Sequence, residues 1–316
     1  MPASSKCLNP EIIARLQGLE LRARGIVAGY ISGMHRSPYR GFSVEFAEHR
    51  EYVPGDDLRH VDWRLFGRAD RFYVKQYEVE TNLRCCLLVD ASESMAYGGS
   101  PVGAGPRGLK RAARPSKFDY ARTLAASLAY LVIDHQDAAG LITFDSEVRD
   151  RLDCKSGKAH LANLADLLDG AAPAGKTHVK VLFHRLAEEL HSRSMVVLIS
   201  DLLADPDHIV AGLDHIRYAG HELIVFHVMD DDEWNFPFVE NVLFDGLEEP
   251  AQLLADPQSL RDSYLAAVQR LVTRVRAACL KLRADYVLVN TSDPVDAVLC
   301  GYLGRRARSV AGAKRR

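Results

Sequence analysis

Three oxygen-bearing side chains at two-residue spacing, Asp90, Ser92 and Ser94, follow the apolar run Leu87-Leu88-Val89. An apolar run of this length that ends in an Asp indicates a buried strand that stops at the carboxyl edge of a sheet. The carboxylate and the two hydroxyls would then belong to the loop beyond that edge. Oxygen donors are the ligands that Mg²⁺ prefers, with about six needed at roughly 2.0–2.1 Å. The spacing therefore predicts part of a magnesium site.

Two further residues complete the predicted ligand set from other loops. Thr177 lies directly before a predicted helix, and Asp201 directly follows an apolar run. The simpler interpretation is that Asp90 and Ser92 only cap a helix or turn. The preceding strand and the positions of Thr177 and Asp201 favour the metal site. Mn²⁺ and Ca²⁺ stay open as alternatives to Mg²⁺, although a hydroxyl-rich site of low charge argues against tight Ca²⁺ binding.

From residue 83 onward, short apolar runs alternate with amphipathic helices. This alternation predicts an α/β fold with a mostly parallel central sheet and helices on both faces. Ligands of such sheets bind outside the carboxyl ends of the strands, where Asp90 and Asp201 fall. The predicted strands are Leu83–Asp90, Ala139–Phe144, Met195–Ser200, Leu223–Val228 and Tyr286–Asn290, with Val148–Leu152 as an antiparallel edge strand. The predicted helices are Lys117–Asp134, His160–Leu168, Val179–His191, Pro206–Tyr218, Gln258–Arg283 and Pro294–Leu303.

Composition excludes several classes of protein. The chain has 316 residues, is 47% hydrophobic and 26% charged, and carries a net charge of −2, so it has no global attraction to nucleic acid or anionic lipid. No apolar run approaches the roughly 18 residues of a membrane helix, and the first 15 residues lack the apolar core of a signal peptide. The six cysteines form no C-x-x-C pair and are expected to be reduced structural thiols. We therefore expect a cytoplasmic protein without an integral membrane segment.

The order Asp-x-Ser-x-Ser, then Thr, then Asp resembles the metal-ion-dependent adhesion site of von Willebrand factor A domains. This resemblance implies a Rossmann-like fold in which Ser92 and Ser94 bind the metal directly. It implies that Thr177 binds directly or through water, and that Asp90 and Asp201 act mainly through water. The open coordination position would take an Asp or Glu from a partner. The resemblance thus implies a binding protein and not an enzyme.

The segment before the site carries a second resemblance. Its longest motif, Arg-Glu-Tyr-Val-Pro-Gly-Asp-Asp at residues 50–57, is followed by Val61-Asp62-Trp63-Arg64. This pattern resembles domain-of-unknown-function family 58, a von Willebrand factor A-like family, and the match extends to about residue 304. Members of that family are typically encoded beside MoxR-type AAA+ ATPases. The resemblance implies an adaptor or chaperone cofactor that grips a client protein while the ATPase remodels or matures it.

These observations divide the chain into three parts. Residues 1–80 form a helical and charged family-specific segment, residues 81–304 a von Willebrand factor A-like domain, and residues 305–316 a basic disordered tail. The charged residues at 50–68 either dock a partner or form an internal Arg–carboxylate network, with Trp63 as core packing. We favour the internal network.

Two other functions stay open as alternatives. A Mg²⁺-dependent phosphatase-like hydrolase would use Asp90 as its nucleophile, although Ser92 stands where the general acid is expected. An electrostatic binder of acidic surfaces or nucleic acid would use the basic loop at 98–116 and the tail. No DNA- or RNA-binding motif accompanies these basic residues, so we do not expect nucleic acid as a partner. The basic residues of the loop and its end are Arg107, Lys110, Arg111, Arg114 and Lys117.

Overall fold

The computed structural model describes residues 44–52, 61–69, 71–79, 83–98, 114–176, 193–239, 242–246 and 252–313, together with positions 183, 185, 186, 189 and 190. Thr177, most of the predicted helix at 179–191 and the loop residues 99–113 lie outside this set. So do the first 43 residues and the Pro-Gly-Asp-Asp motif.

Two strands and a short helix precede the main sheet. Strand β1 (Val44–Glu51) pairs antiparallel with β2 (Tyr73–Val79), and helix α1 (Trp63–Ala69) lies between them in the chain. The prediction that Trp63 packs in a core is wrong, because 61% of its surface is exposed. Its ring instead meets the rings of Phe66 and Phe72 edge-on at the surface.

A six-stranded sheet forms the centre of the fold. Its strands are β3 (Arg84–Asp90), β4 (Ala138–Phe144), β5 (Val148–Lys155), β6 (Met195–Ser200), β7 (Glu222–Met229) and β10 (Asp285–Asn290). They lie in the order β10-β7-β6-β3-β4-β5. All neighbouring strands are parallel except β5, which is antiparallel to β4 at one edge. This arrangement confirms the predicted α/β architecture.

Helices cover both faces of this sheet because successive side chains of a strand point to opposite sides. Leu87 and Val89 of β3 join one apolar cluster, whereas Cys86 and Leu88 join the other. The helices are α2 (Lys117–Asp134), α3 (Lys158–Gly170), α4 (Pro206–Tyr218), α5 (Asp231–Asn235), α6 (Pro257–Lys281) and α7 (Val295–Ala313). The first cluster includes residues of α2, α3 and α7, and the second includes residues of α4 and α6.

Besides β1 and helix α1, the sequence analysis missed two short features, and it misplaced the end of the last helix. Helix α5 and the hairpin of β8 (Val242–Asp245) with β9 (Gln252–Ala255) are too short to give a periodic signal. Helix α7 continues to Ala313, so the predicted disordered tail is wrong for residues 305–313. Part of the reason is Arg306, whose guanidinium pairs with Asp285 at 2.7 Å and also with Glu222.

Strands β3 and β6 are parallel neighbours in the sheet, and the connections that follow them run in opposite directions across it. From β3 the chain continues to β4 on one side, and from β6 it continues to β7 on the other. Loops that leave neighbouring strands in opposite directions open a crevice at the carboxyl edge of the sheet. Asp90 ends β3 and Asp201 directly follows β6, so the fold brings these two predicted site residues to that crevice.

Candidate metal-binding site

Asp90 is fully buried, and its two carboxylate oxygens have different partners. Oδ1 accepts a hydrogen bond of 3.0 Å from the backbone N–H of Ser92. Oδ2 accepts one of 2.5 Å from the hydroxyl of Ser200, the last residue of β6. The same hydroxyl oxygen accepts from the N–H of Leu202. Ser200 therefore ties the end of β3 to the loop after β6, a role that the sequence analysis did not assign to it.

The hydroxyls of Ser92 and Ser94 hydrogen-bond each other, with their Oγ atoms 3.0 Å apart. Ser92 has extended backbone and precedes a 3₁₀ turn at Glu93–Ala96, which carries the Ser94 hydroxyl back toward Ser92. Adjacent ligands of an octahedral Mg²⁺ at about 2.1 Å are about 3.0 Å apart. The two hydroxyls are thus spaced as neighbouring ligands of such an ion.

A second loop, residues 171–176, packs against the Asp90–Ser94 loop. The Ala174 N–H donates to the carbonyl of Ala91, and the Glu93 N–H donates to the carbonyl of Gly175, both at 2.9 Å. This brings the chain just before Thr177 to the candidate site. Thr177 itself is outside the described residues, so its part in the site stays a prediction.

Arg149 holds this second loop in place. Its guanidinium donates to the carbonyl of Ala172 at 2.8 Å and also to that of Ala174, and Nε donates to Asp145 Oδ2 at 2.6 Å. Gly175 adopts a φ of +77°, and a Cβ there would lie 2.7 Å from Asp145 Oδ2. The loop therefore needs glycine at position 175, both for its backbone conformation and for the close approach of Asp145.

A buried cation, Lys117, lies beside Asp201. Its ammonium is 2.8 Å from Asp201 Oδ2 and 2.6 Å from Glu233 Oε1, and the side chain is completely enclosed. Burial alone would lower the pKa of Lys117, but the two carboxylates outweigh it and hold the pKa above its usual range. Burial likewise opposes ionisation of Asp201, but Lys117 keeps the pKa of Asp201 below its usual value. Lys117 and Asp201 therefore form a charged pair.

Asp90 has no such partner among the residues that the structure describes. Burial, and then the charge of Asp201, raise the pKa of Asp90 to about 7 despite the hydrogen bonds from Ser200 and Ser92. Within the described residues, no cationic side chain forms an ion pair with Asp90. A buried carboxylate is costly to ionise unless a positive charge or strong donors compensate it. A divalent cation beside Asp90 would supply the missing charge.

The residues present fit a metal that is held largely by hydroxyls and water. Across the part of the chain that the structure covers, no group of three or more His, Cys, Asp or Glu side chains is placed to hold a metal ion. Such an ion would depend on Ser92 and Ser94, with Asp90 beside them. Asp201 already gives Oδ2 to Lys117 and accepts the Leu203 N–H at Oδ1, which suits the water-mediated role that the resemblance implied.

Four consecutive acidic residues beyond β7 form a second charged group, Asp230–Glu233. Arg114 donates to Asp232 at 2.7 Å and lies 3.4 Å from Asp230 and 3.5 Å from Asp231. Two of the five basic residues assigned to an electrostatic surface, Arg114 and Lys117, therefore pair with carboxylates of their own chain. The run of acids after a predicted strand was the sequence signal for this group, and the sequence analysis did not use it.

Similar proteins share the sequence over most of the chain. The uncharacterized protein Rv1480 of Mycobacterium tuberculosis is 28% identical over 291 residues, covering 88% of this chain and 86% of the relative. The uncharacterized protein Mb1516 of Mycobacterium bovis matches to the same extent.

Two solved structures resemble the fold at low sequence identity. An aerotolerance-related membrane protein from Bacteroides fragilis is 13% identical with a TM-score of 0.43, and the conserved hypothetical protein BatB from Bacteroides thetaiotaomicron is 12% identical with a TM-score of 0.41. Each match covers 72% of this chain and 99% of the other.

The prediction of a cytoplasmic location is corrected by this comparison. The Bacteroides fragilis protein is described as a membrane protein, and a third similar structure, from Vibrio fischeri, as a membrane-spanning protein. The cytoplasmic prediction is therefore wrong, and we assign no compartment. Among the described helices, none is both long enough and apolar enough to span a bilayer.

The family resemblance, in contrast, is confirmed. Residues 48–274 match the family described as protein of unknown function DUF58, which is more than half of the chain. The chain belongs to the DUF58 family.

Proposed function

We propose that this chain is a metal-dependent protein-binding module in which Mg²⁺ holds an Asp or Glu side chain of a partner. The observation that carries the proposal is the pair of buried hydroxyls, Ser92 and Ser94, with oxygens 3.0 Å apart at the crevice between β3 and β6. When bound, the ion would supply a positive coordination position for a carboxylate. Mn²⁺ or Ca²⁺ are the alternative ions.

The chain's own residues would position and select the ligand. Ser200 and the Ser92 N–H orient the Asp90 carboxylate, while Lys117 fixes Asp201. Asp90 and Asp201 together carry two negative charges and Lys117 one positive charge. Glu233, which shares the Lys117 ammonium at 2.6 Å, adds a third negative charge, so a divalent ion would bring this group to neutrality. The partner carboxylate would then bind through the open coordination position of the ion.

The proposed partner is a MoxR-type AAA+ ATPase, which would supply the energy to remodel or mature a bound client protein. Membership of DUF58 supports this partner through the association of the family with such ATPases. In this scheme the chain acts as an adaptor and the client presents the Asp or Glu.

Neither alternative function fits the site as well. A phosphatase nucleophile needs an oxygen that is free to attack its substrate, whereas both oxygens of Asp90 accept hydrogen bonds. An electrostatic binder of acidic surfaces or nucleic acid would need free basic side chains. Arg114 and Lys117 instead pair with carboxylates of their own chain. The adaptor is therefore the function that we prefer.

Calorimetric titration of MgCl₂ into the purified chain tests the metal site. The double variant Ser92→Ala, Ser94→Ala should lose the binding heat. Ser127→Ala is the matched control, because Ser127 is a buried hydroxyl whose one hydrogen bond among the described residues goes to the Thr123 carbonyl within its own helix. Unchanged Mg²⁺ binding in the double variant would refute the assignment of these two hydroxyls.

A second experiment tests the partner. The purified MoxR-type ATPase of the same organism is passed over the immobilised chain with Mg²⁺ or with EDTA. We expect retention that is lost with EDTA and in the double variant but kept in Ser127→Ala. Retention that survives both treatments would show binding independent of the metal site, and no retention in Mg²⁺ would contradict the partnership.

A further inference from the structure

Two large side chains, Tyr218 and Leu280, are almost fully exposed at the ends of neighbouring helices. Tyr218 is the last residue of α4 and has 92% of its surface exposed, and Leu280, one residue before the end of α6, has 80% exposed. Single exposed apolar residues are ordinary on a protein surface, whereas a group of them marks a binding surface. The placement of the two helix ends decides which of these cases applies.

Hydrogen bonds connect the ends of α4 and α6. The Arg217 guanidinium donates through Nε to the carbonyl of Leu282 at 2.9 Å, and through Nη1 to the carbonyl of His221 at 2.8 Å. Helix α4 is followed by β7 and helix α6 by β10, and these two strands are neighbours in the sheet. Both helices therefore end at the amino edge of the sheet, where its parallel strands begin, opposite the edge with the candidate metal site.

Basic side chains surround these helix ends. Lys281 ends α6, Arg283 lies in the turn to β10, and Arg193 comes shortly before β6, and all three are exposed. The Glu222 N–H donates to the carbonyl of Ser194 at 3.0 Å, which places Arg193 beside the start of β7. Within the described residues, none of the three basic side chains forms an ion pair. Their positive charge is therefore available to a partner.

Acidic side chains beside β6, β7 and β10 at this edge are fewer than basic ones. Asp214, one turn before Tyr218, is exposed, whereas Glu222 and Asp285 both pair with Arg306. Two further exposed basic residues lie on the same helix as Arg306, namely Arg305 and Arg308. This part of the edge therefore has an excess of positive charge.

Helix dipoles account for only part of this arrangement. The last turn of a helix carries a partial negative charge, and basic residues there stabilise the helix itself. That effect gives no reason for Tyr218 and Leu280 to lie in water. It also gives no reason for an arginine at position 283, where the backbone has a φ of +54° that favours glycine. Exposed apolar side chains among unpaired positive charges indicate an external partner.

We propose that the amino-edge surface, formed by Arg193, Tyr218, Leu280, Lys281 and Arg283, docks onto a bilayer that carries anionic phospholipid headgroups. The basic side chains are attracted to the headgroup phosphates, and Tyr218 and Leu280 enter the boundary between headgroups and acyl chains. Tyrosine is favoured at that boundary because its ring is apolar while its hydroxyl reaches water. The net charge of −2 does not oppose docking, because Asp90, Asp201 and Asp230–Glu233 lie at the opposite edge.

A bilayer fits this surface better than nucleic acid does. Both attract basic residues, but a sugar-phosphate backbone offers no apolar environment for Leu280. Docking through the amino edge would also leave the carboxyl edge of the sheet facing the solvent, so the candidate metal site would stay accessible. The proposal does not depend on that site.

Vesicle co-sedimentation of the full chain tests the proposal. Vesicles of phosphatidylcholine alone are compared with vesicles that also contain phosphatidylglycerol, always with EDTA so that no divalent ion bridges the candidate metal site to lipid phosphate. We expect binding to the phosphatidylglycerol vesicles at low ionic strength, with little binding to phosphatidylcholine. Added salt should weaken the binding because it screens the headgroup charge.

Two double variants separate charge from insertion. Lys281→Gln with Arg283→Asn should lower the partition coefficient roughly 25-fold, or about fivefold for each charge. Asparagine tolerates the left-handed backbone at position 283. Tyr218→Ser with Leu280→Gln keeps every charge and should lower the coefficient by roughly tenfold. Val239→Ser, at an apolar residue that is 59% exposed elsewhere, is the matched control and should bind like the wild type. Melting temperatures check that each variant is folded.

Several results would overturn the proposal. These are equal binding to both kinds of vesicle, no binding to phosphatidylglycerol vesicles, or unchanged binding in the two folded double variants. Duplex DNA in place of vesicles tests the other polyanion. Retention by DNA without vesicle binding, reduced by the charge variant but not by the Tyr218 and Leu280 variant, would assign this surface to nucleic acid instead.

Discussion

The ammonium of Lys117 lies 2.8 Å from the carboxylate of Asp201 in a completely enclosed position. Lys117 is the first residue of α2, and Asp201 directly follows β6, so this pair joins the start of a helix to the carboxyl edge of the sheet. Glu233 at the start of α5 shares the same ammonium at 2.6 Å. The candidate site therefore contains a cation of its own next to the place where a metal ion is proposed.

We predict that Lys117→Met destabilises the chain and makes it depend on divalent cations. Removing one partner of a buried ion pair leaves uncompensated charge, at a cost of about 3–5 kcal/mol. Mg²⁺ near Asp201 would offset part of this loss, because an ion that binds only the folded state stabilises it. Thermal unfolding with saturating MgCl₂ and with EDTA measures both effects. The Mg²⁺-induced rise in melting temperature should be larger in Lys117→Met than in the wild type.

Lys158→Met is the matched control for this prediction. Lys158 is likewise the first residue of a helix, α3, but its side chain is exposed. We expect its stability and Mg²⁺ response to equal those of the wild type. A melting temperature of Lys117→Met that responds to Mg²⁺ no more than the wild type would contradict a metal ion near Asp201.

Much of the fold could be predicted because its signals are local. Buried parallel strands such as Met195–Ser200 give continuous apolar runs, and the helix Pro206–Tyr218 begins with a capping Asp205 and a proline. Both elements have the predicted limits. The convergence of Asp90 and Asp201 was predictable as well, since both follow parallel strands, and carboxyl ends of parallel strands meet at one edge.

The rest of the site depends on contacts between residues that are distant in sequence. Lys117 is 84 residues from Asp201, and Ser200 is 110 residues from Asp90. Nothing in the local pattern distinguishes a lysine that begins a helix in a buried ion pair from a solvated one. The position of Trp63 shows the same limit. An aromatic residue in a charged segment does not by itself indicate whether its ring packs in the core or lies at the surface, because that depends on which other residues it contacts.

Ser200→Ala should weaken Mg²⁺ binding without removing any direct ligand. The Ser200 hydroxyl donates to Asp90 Oδ2 at 2.5 Å, and outer residues that orient metal-site carboxylates typically contribute about 10- to 100-fold in affinity. Calorimetric titration with MgCl₂ measures the change. Ser200→Thr keeps the hydroxyl and should bind more tightly than Ser200→Ala, and Ser127→Ala should match the wild type. Equal affinity in Ser200→Ala and the wild type would show that Asp90 needs no such support.

Gly175→Ala should destabilise the chain more than Gly157→Ala. Both glycines have positive φ, +77° and +101°, so an alanine is strained at either position. The Cβ at position 175 would also lie 2.7 Å from Asp145 Oδ2, whereas at position 157 it would meet nothing within 4 Å. Denaturant unfolding of both variants measures the effect of this contact. We expect the free energy of unfolding to fall by about 1–3 kcal/mol more in Gly175→Ala than in Gly157→Ala. Equal losses would mean that the Asp145 and Arg149 contacts adapt freely.

Protonation of His221 should lower the stability of the chain as pH falls below about 6.5, a loss that protonation of Asp90, whose pKa is raised to about 7, opposes. Burial lowers the pKa of His221, and the nearby backbone of Leu190 opposes this shift only in part. The folded state then binds this proton less readily than the unfolded state. The contribution of neutral His221 to the free energy of unfolding is fully present above the pKa of His221 in the unfolded state. It is lost as pH falls from there toward the pKa in the folded state, by at most about 1.4 kcal/mol per pH unit. Burial of His227, whose pKa is lowered to about 4, adds a loss in the same direction.

His221→Asn tests this contribution because it removes the titrating ring and keeps an acceptor for the Ser194 N–H, which now bonds Nδ1 at 3.2 Å. Denaturant unfolding at about pH 7.5 and about pH 5.5 brackets the ordinary histidine pKa. The variant should lose less stability between the two pH values than the wild type does. His208→Asn, at an exposed position of α4, should keep the wild-type difference. If His221→Asn also shows the wild-type difference in stability between the two pH values, unfolding is not coupled to protonation of His221. The pH dependence then belongs to other buried groups.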